Sequence, residues 1–221
     1  VDVGCGNGAF TELIFSRSAP STVDGIDPSE AQLEFARARP GTRAARFQLG
    51  DAMALPFAED SFDVAIMALV IFFVPDPAKG VAEMVRVVRP GGQVAAYVWD
   101  VMGGKATAAP IQSEMVAMGY APPRQPSMEA SRIESLRKLW AAAGLEAIET
   151  TEIDVRRTFD SFEDFWTTTL LIPILRPTFA AMPSKDREIL KARVCERLPA
   201  DAAGRITHEA RANAVMGRLP E

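Results

Sequence analysis

The stretch VDVGCGNGAFTE, residues 1–12, decides the reading of the chain. Val1–Val3 has the look of a strand stub. Gly4, Gly6 and Gly8 follow at alternate positions, and Ala9–Arg17 continues as a helix that the SAPS stretch ends. A strand, a bare turn and a helix make a ligand cradle: glycine permits the tight turn and lets a ligand approach the backbone. Two ligand classes compete for it. Gly4-x-Gly6-x-x-Ala9, with Asp27 19 residues beyond Gly8, fits a relaxed dinucleotide fingerprint. S-adenosylmethionine has no phosphate and carries a sulfonium and an ammonium group. A carboxylate beside the loop, Asp2, suits those cations and repels a pyrophosphate.

Composition narrows the classes. The chain has 221 residues, 48% of them hydrophobic, enough for one sizeable core and one domain with embellishments. Its formal net charge is -5 and no basic run is dense, which speaks against a nucleic-acid partner. There are two cysteines and one histidine, with no zinc spacing, so no metal site is expected. Reduced cysteines and the lack of a signal peptide point to a cytoplasmic protein, monomer or homodimer. No apolar run reaches the roughly 18 residues of a membrane helix, so no membrane insertion is expected; ALVIFFV, 68–74, is closed by Pro75. A start inside a strand reads as an N-terminal truncation.

Strands and helices then alternate. TVDGID, 22–27, is a strand with an acidic end. Ser29–Arg39 is a helix with apolar Leu33 and Phe35–Ala36, stopped by Pro40-Gly41. ARFQLGD, 45–51, is a weaker strand. SFDVAIMALVI, 61–71, is a continuous apolar run, as in a strand buried on both faces. Lys79–Val88 is helical, with Val81, Met84, Val85 and Val88 on one face. Pro90-Gly91-Gly92 turns into a fifth strand, Gln93–Trp99. The pattern predicts an α/β, Rossmann-like, doubly wound parallel sheet with helices on both faces. Residues 101–128 lack periodicity and read as a lid or insertion. Glu129–Ala143 is a helix closed by Gly144, and Leu145–Phe159 contains a strand. Residues 161–198 are helical and broken by Pro173, Pro177 and Pro183. Ile206–Met216 is a strand whose EARANAV stretch taken alone looks helical.

GDAMALPFAEDSFDVAIM, 50–67, adds a third acid, Asp51, at the carboxyl edge of the sheet. Asp51 can accept from an adenine amino group, Met53 can pack on the ring, and Asp27 can accept from both ribose hydroxyls. With VDVGCGNG, VDGIDPSEAQLEFAR, GDAMALPFAEDSFDVAIMALVIFFVPDP and RVVRPGGQVAAYVWD in order, residues 1–100 resemble class I S-adenosylmethionine-dependent methyltransferases. They are most similar to the ubiquinone/menaquinone-biosynthesis branch.

The resemblance implies a mostly parallel seven-stranded sheet and a cofactor half over 1–100. Insertions at 101–128 and 160–200 would form a substrate lid within a single domain, 1–221. It implies that Asp2, Gly4, Cys5 and Gly6 line the methionine end of the cofactor and that Asp27 holds the ribose, with Pro28 and Ser29 beside the adenine. Asp51, Ala52 and Met53 recognise the adenine, and Ala68 and Leu69 face the cofactor. Many relatives carry a histidine pair after the fourth strand; Phe72 and Phe73 stand there, so no imidazole base is available. Relatives also have N-terminal helices over the cofactor that the sequence given lacks.

The acceptor is expected to be small and apolar or aromatic. Phe72, Phe73, Trp99 and Met102 are its candidate contacts, and Trp99, Asp100 and His208 the catalytic candidates. Each has a plainer reading. Cys5 serves as a small loop residue, Met53 packs in the core, and Asp63 supports a strand end. Met102, Met115, Met118 and Met128 pack, Phe159, Phe162, Phe165 and Trp166 seat helices, and His208 is structural. Two other functions stay open at this point: an NAD(P)-dependent oxidoreductase, and a non-catalytic protein that keeps the fold.

Overall fold

The computed structural model describes residues 1–221 and divides into two compact units. The first comprises residues 1–98, 126–152 and 213–221; the second comprises 99–125 and 153–212.

Seven strands form one sheet in the order β3-β2-β1-β4-β5-β7-β6; most of it belongs to the first unit, while residues 153–159 and 206–212 of β6 and β7 belong to the second. The strands are β1 (Asp2–Val3), β2 (Asp24–Asp27), β3 (Arg46–Leu49), β4 (Phe62–Ala68), β5 (Val88–Trp99), β6 (Glu146–Phe159) and β7 (Ile206–Arg218). β1 to β5 are parallel, with Asp2 opposite Gly25 and Ile66, Asp27 opposite Leu49, and Ala68 opposite Tyr97. Strand order reverses between β1 and β4, and such a switch point opens a crevice at the carboxyl ends of the strands.

The helices of the first unit are α1 (Ala9–Ser18), α2 (Glu30–Ala38), α3 (Pro77–Val87) and α5 (Ile133–Ala142). Ser29 caps α2 by accepting from Gln32 N, and Asp76 caps α3 by accepting from Lys79 N. Three of these helices turn one stripe inward: Leu33 and Ala36 from α2, Val81, Met84 and Val87 from α3, Leu136 and Trp140 from α5. Phe35 is 71% exposed, because a residue two positions from Leu33 points to the opposite side of α2. Trp140 is fully buried and donates from Nε1 to Val94 O at 2.8 Å.

Several boundaries differ from the sequence reading. The apolar run 61–71 leaves the strand at Ala68: Leu69 takes φ +64 and Ile71–Phe73 form a 3-10 turn. α3 ends at Val87, so Val88 already belongs to β5. Pro90-Gly91-Gly92 lies inside β5 as a bulge: Phe62 pairs with Val88 and Val64 with Gln93, with Gly91 at φ +73. The expected helix 129–143 is a 3-10 turn, Met128–Ser131, and then α5, separated by the extended Arg132. The helix-like EARANAV is strand. Burial of Ala210, Ala212 and Val215 in the sheet outweighs alanine's helix preference.

The second unit has its own core. Residues 101–128 are not structureless: they contain α4 (Ala109–Ala117), which buries Ile111, Glu114 and Met115 at helical spacing. α6 (Phe162–Leu170), α7 (Arg176–Ala181) and α8 (Ser184–Arg197) follow, with Phe165, Leu175, Leu190 and Val194 fully buried. Glu114 is ion-paired with Arg197 at 2.8 Å. No helix in either unit is long and apolar enough to cross a membrane.

Candidate functional site

Gly4, Gly6 and Gly8 all take positive φ, +76, +51 and +77. At Gly4 the requirement is twofold, because an added Cβ would also lie 2.5 Å from both γ-carbons of Val70. Gly4→Ala is therefore expected to lower stability by about 1–2 kcal/mol through the left-handed backbone alone. Displacement of Val70 adds to that loss. Urea denaturation measures it; an unchanged midpoint would show that the loop relaxes freely.

The loop is held by its own N–H groups. Gly4 N and Cys5 N donate to Ile26 O, Gly8 N to Cys5 O, Ala9 N to Asn7 Oδ1, and Gly6 N to Asp27 Oδ2 at 2.9 Å. Asp27, at the carboxyl end of β2, also accepts from Ser29 N through Oδ1 at 2.9 Å. Five of the six N–H groups from Gly4 to Ala9 thus point at protein acceptors. Arg39 braces the loop from behind, donating to Asn7 O and to Glu12 on α1.

Above this loop lies a cleft of about 780 Å³. Gly4–Asn7, Asp27, Pro28, Ala68 and Leu69 line it, together with Phe10, Leu13, Gln32, Val70, Phe73 and Tyr97. Asp27 is the one charged side chain in that wall. A smaller recess of about 110 Å³ shares Gly4, Pro28, Val70 and Phe73 with it and adds Gly50, Asp51 and Ala52. Leu69, a left-handed non-glycine residue, donates its N–H to Tyr97 O at 2.8 Å. Such strain concentrates where a chain must present its backbone to a ligand.

The structure brings Gly4, Cys5, Gly6, Asp27, Pro28, Ala68 and Leu69 to the cleft and Asp51 and Ala52 to the recess. Other expected contacts lie elsewhere. Ser29 is the α2 cap, and Met53 packs against the hydrophobic core. Phe72 is buried in that core, while its neighbour Phe73, its ring 4.3 Å from that of Phe72, is 56% exposed at the cleft. Trp99, Asp100, Met102 and His208 belong to the second unit. Asp100 accepts from Gly103 N in a turn, and His208 stands edge-on to Phe165 with its pKa pushed down by burial. The Cys5 thiol is pushed far up by burial, which keeps it protonated.

Asp2 lies behind the loop rather than in the cleft wall. It is fully buried, and Thr11 of α1 donates to its Oδ2 at 2.6 Å. Burial raises its pKa from 3.8 to about 6, against the opposing Thr11 bond. Between those two values the folded chain keeps a proton that the unfolded chain has lost. The stability contributed by the protonated acid is full below about pH 4 and is lost as pH rises through about 6. Wild type is expected to lose urea resistance relative to Asp2→Asn across that window. A constant difference between the two proteins would show Asp2 ionised throughout.

Tyr97 and Phe10 are functional candidates that the sequence did not single out. Their rings meet edge to face at 5.6 Å in the cleft wall. The alternation of β5 carried the signal: Val94, Ala96 and Val98 are buried, which sets Tyr97 on the opposite face at the strand's end. The Tyr97 pKa is raised by burial and by the Asp2 charge, so the cleft holds a neutral phenol.

A methyltransferase-domain family model matches residues 1–96. Over 92 residues the chain is 42% identical to 2-methyl-6-phytyl-1,4-hydroquinone methyltransferase 2 of Oryza sativa, covering 42% of this chain and 26% of that protein. It is 39% identical over 99 residues to demethylmenaquinone methyltransferase of Desulfitobacterium hafniense, covering 42% and 39%. It is 33% identical over 157 residues to methyltransferase GfsG of Streptomyces halstedii, covering 69% and 54%. The chain therefore spans about half or less of the length of these relatives. In fold, it is similar to the YcgJ protein of Bacillus subtilis, with a TM-score of 0.64 at 18% identity over 100% of this chain and 91% of the other. Crevice, glycine loop and acid-tipped β2 agree with these matches: residues 1–96 are similar to the methyltransferase-domain family, two of the matched relatives being named as quinone-type methyltransferases.

Proposed function

We propose that this chain binds S-adenosylmethionine in the cleft over β1 and β4 and catalyses methyl transfer to a small apolar or aromatic acceptor. The inward-turned glycine loop carries the reading. A pyrophosphate needs free N–H groups or cations. This loop spends five of its six N–H groups on the protein, and the wall offers a carboxylate and no cation. That chemistry suits a phosphate-free cationic ligand and disfavours a dinucleotide.

The residues fit the cofactor in parts. Each Asp27 oxygen already accepts one backbone bond and keeps lone-pair capacity for a ribose hydroxyl. Asp51 and Ala52 stand at the recess for the adenine, and Gly4–Gly6 with Ala68 and Leu69 border the methionine end. Asp2 acts on that end through the loop it supports. When bound, the cofactor supplies an electrophilic methyl group on a good leaving group. The protein's task is alignment, which can contribute about 7–11 kcal/mol in favourable cases. Phe10, Phe73 and the neutral Tyr97 form an apolar wall that favours a flat, uncharged acceptor. The quinone-type acceptors named for two relatives are of that class.

Calorimetry with S-adenosylhomocysteine, with NADH as control, tests the cofactor. Binding of the first alone is expected; binding of NADH alone would overturn the proposal. Labelled methyl transfer to a panel of phenols and hydroquinones tests the acceptor, and transfer to RNA with none to small molecules would refute that part.

A further inference from the structure

β6 is the terminal strand of the sheet, so one of its edges has no neighbour. It is 14 residues long, and every residue from 151 to 158 is exposed. Edge strands are commonly shielded by brevity, proline, lysine or a covering loop. This one contains neither proline nor lysine, and Thr150, Thr151, Ile153, Val155 and Thr158 are β-branched. Its inner edge is settled. Asp154 meets Arg211, Arg156 meets Glu209 and Thr158 meets Thr207, all on one antiparallel register with β7.

The charges along β6 are arranged in halves. Glu149, Glu152 and Asp154 precede Val155, and Arg156 and Arg157 follow it. Reversing such a strand against itself brings acid opposite base. We propose that residues 151–159 of β6 form a homodimer interface, two copies pairing antiparallel about a two-fold axis at Val155. In that register Asp154 of one protomer faces Arg156 of its partner, twice. Ile153 and Val155, each about 40% exposed, gather on the other face. A slip of two residues either way sets Asp154 against Asp154 or Arg156 against Arg156, and like charges directly opposite are destabilising. The charge order thus selects both the occupant, a second copy, and the register. The contact is isologous and closes on itself. So few residues place it at the small end of specific interfaces, and dimerisation is concentration-dependent.

Sedimentation over a concentration series tests this. Wild type is expected to show a reversible monomer–dimer equilibrium. Val155→Lys and Val155→Asp, which set like charges across the axis, are each expected to stay monomeric with native circular dichroism. An equimolar mixture of the two is expected to recover the dimer. Amide exchange of residues 151–159 in wild type should slow as concentration rises, a readout that needs no variant. A wild type that stays monomeric, a Val155→Lys protein that dimerises like wild type, or a mixture that stays monomeric would each overturn the proposal.

Discussion

Asp27→Ala is expected to weaken S-adenosylhomocysteine binding by about 100-fold. The carboxylate has two duties: it accepts from Gly6 N and Ser29 N, and it offers its remaining lone pairs to the cleft. Hydrogen bonds to a charged group contribute about 1.5–3 kcal/mol each, and 1.4 kcal/mol is a factor of ten. Losing two ribose bonds at the low end of that range, about 3 kcal/mol, accounts for the expected figure. Of the two released N–H groups, Gly6 N lies at the cleft and Ser29 N at the partly exposed start of α2, so water can satisfy both and the melting temperature is expected to fall far less than the affinity. Asp27→Asn keeps one acceptor oxygen and should fall between alanine and wild type. Calorimetry on all three proteins checks the series. Affinity within a few-fold of wild type in the alanine protein would remove Asp27 from the ribose site.

Trp140→Ala is expected to cost about 3–5 kcal/mol of stability, the range for emptying a large aromatic site in a core. Trp140 is fully buried on α5, and Val94 O in β5 loses its donor when the indole goes. β7 is shaped around the ring: a Cβ on Gly217 would lie 2.9 Å from the Trp140 Cδ1 atom. Trp140→Phe keeps most of the volume and loses the hydrogen bond, so its cost should be about 1–2 kcal/mol. Urea denaturation followed by circular dichroism separates the two. A cost near 1 kcal/mol for the alanine protein would mean that the site collapses around the loss.

The half of the chain that carries the glycine loop was legible in the sequence because its signals are local. A glycine that needs positive φ, an acid at the end of a four-residue strand and a serine cap each act within a few residues, so spacing alone places them. The buried stripes were legible only in part: Leu33, Ala36, Val81 and Met84 are buried as their spacing suggests, but Phe35 is exposed, and β4, expected to be buried on both faces, leaves Val64 42% exposed. Boundaries were less legible. Val88 continues the apolar pattern of α3, and Leu69 to Ile71 that of β4, so hydrophobicity does not show where the backbone turns.

What the tertiary structure alone decided depends on residues far apart in sequence. Asp2 looked like a cleft carboxylate by proximity to the loop, but α1 packs over it and Thr11 takes one of its oxygens. Phe72 and Phe73 are equivalent in composition, and the core claims one while the cleft receives the other. EARANAV follows helix propensity in isolation, yet its neighbours in the sheet make it strand. Tyr97 joins the site only through the pairing of β5 with β4. By itself the sequence determined the fold class, the glycine loop and the acids at the strand ends, since local backbone preference and periodicity suffice for those. Which side chains face the cleft is set by how strands pair and helices pack, and those contacts join positions that no local pattern links.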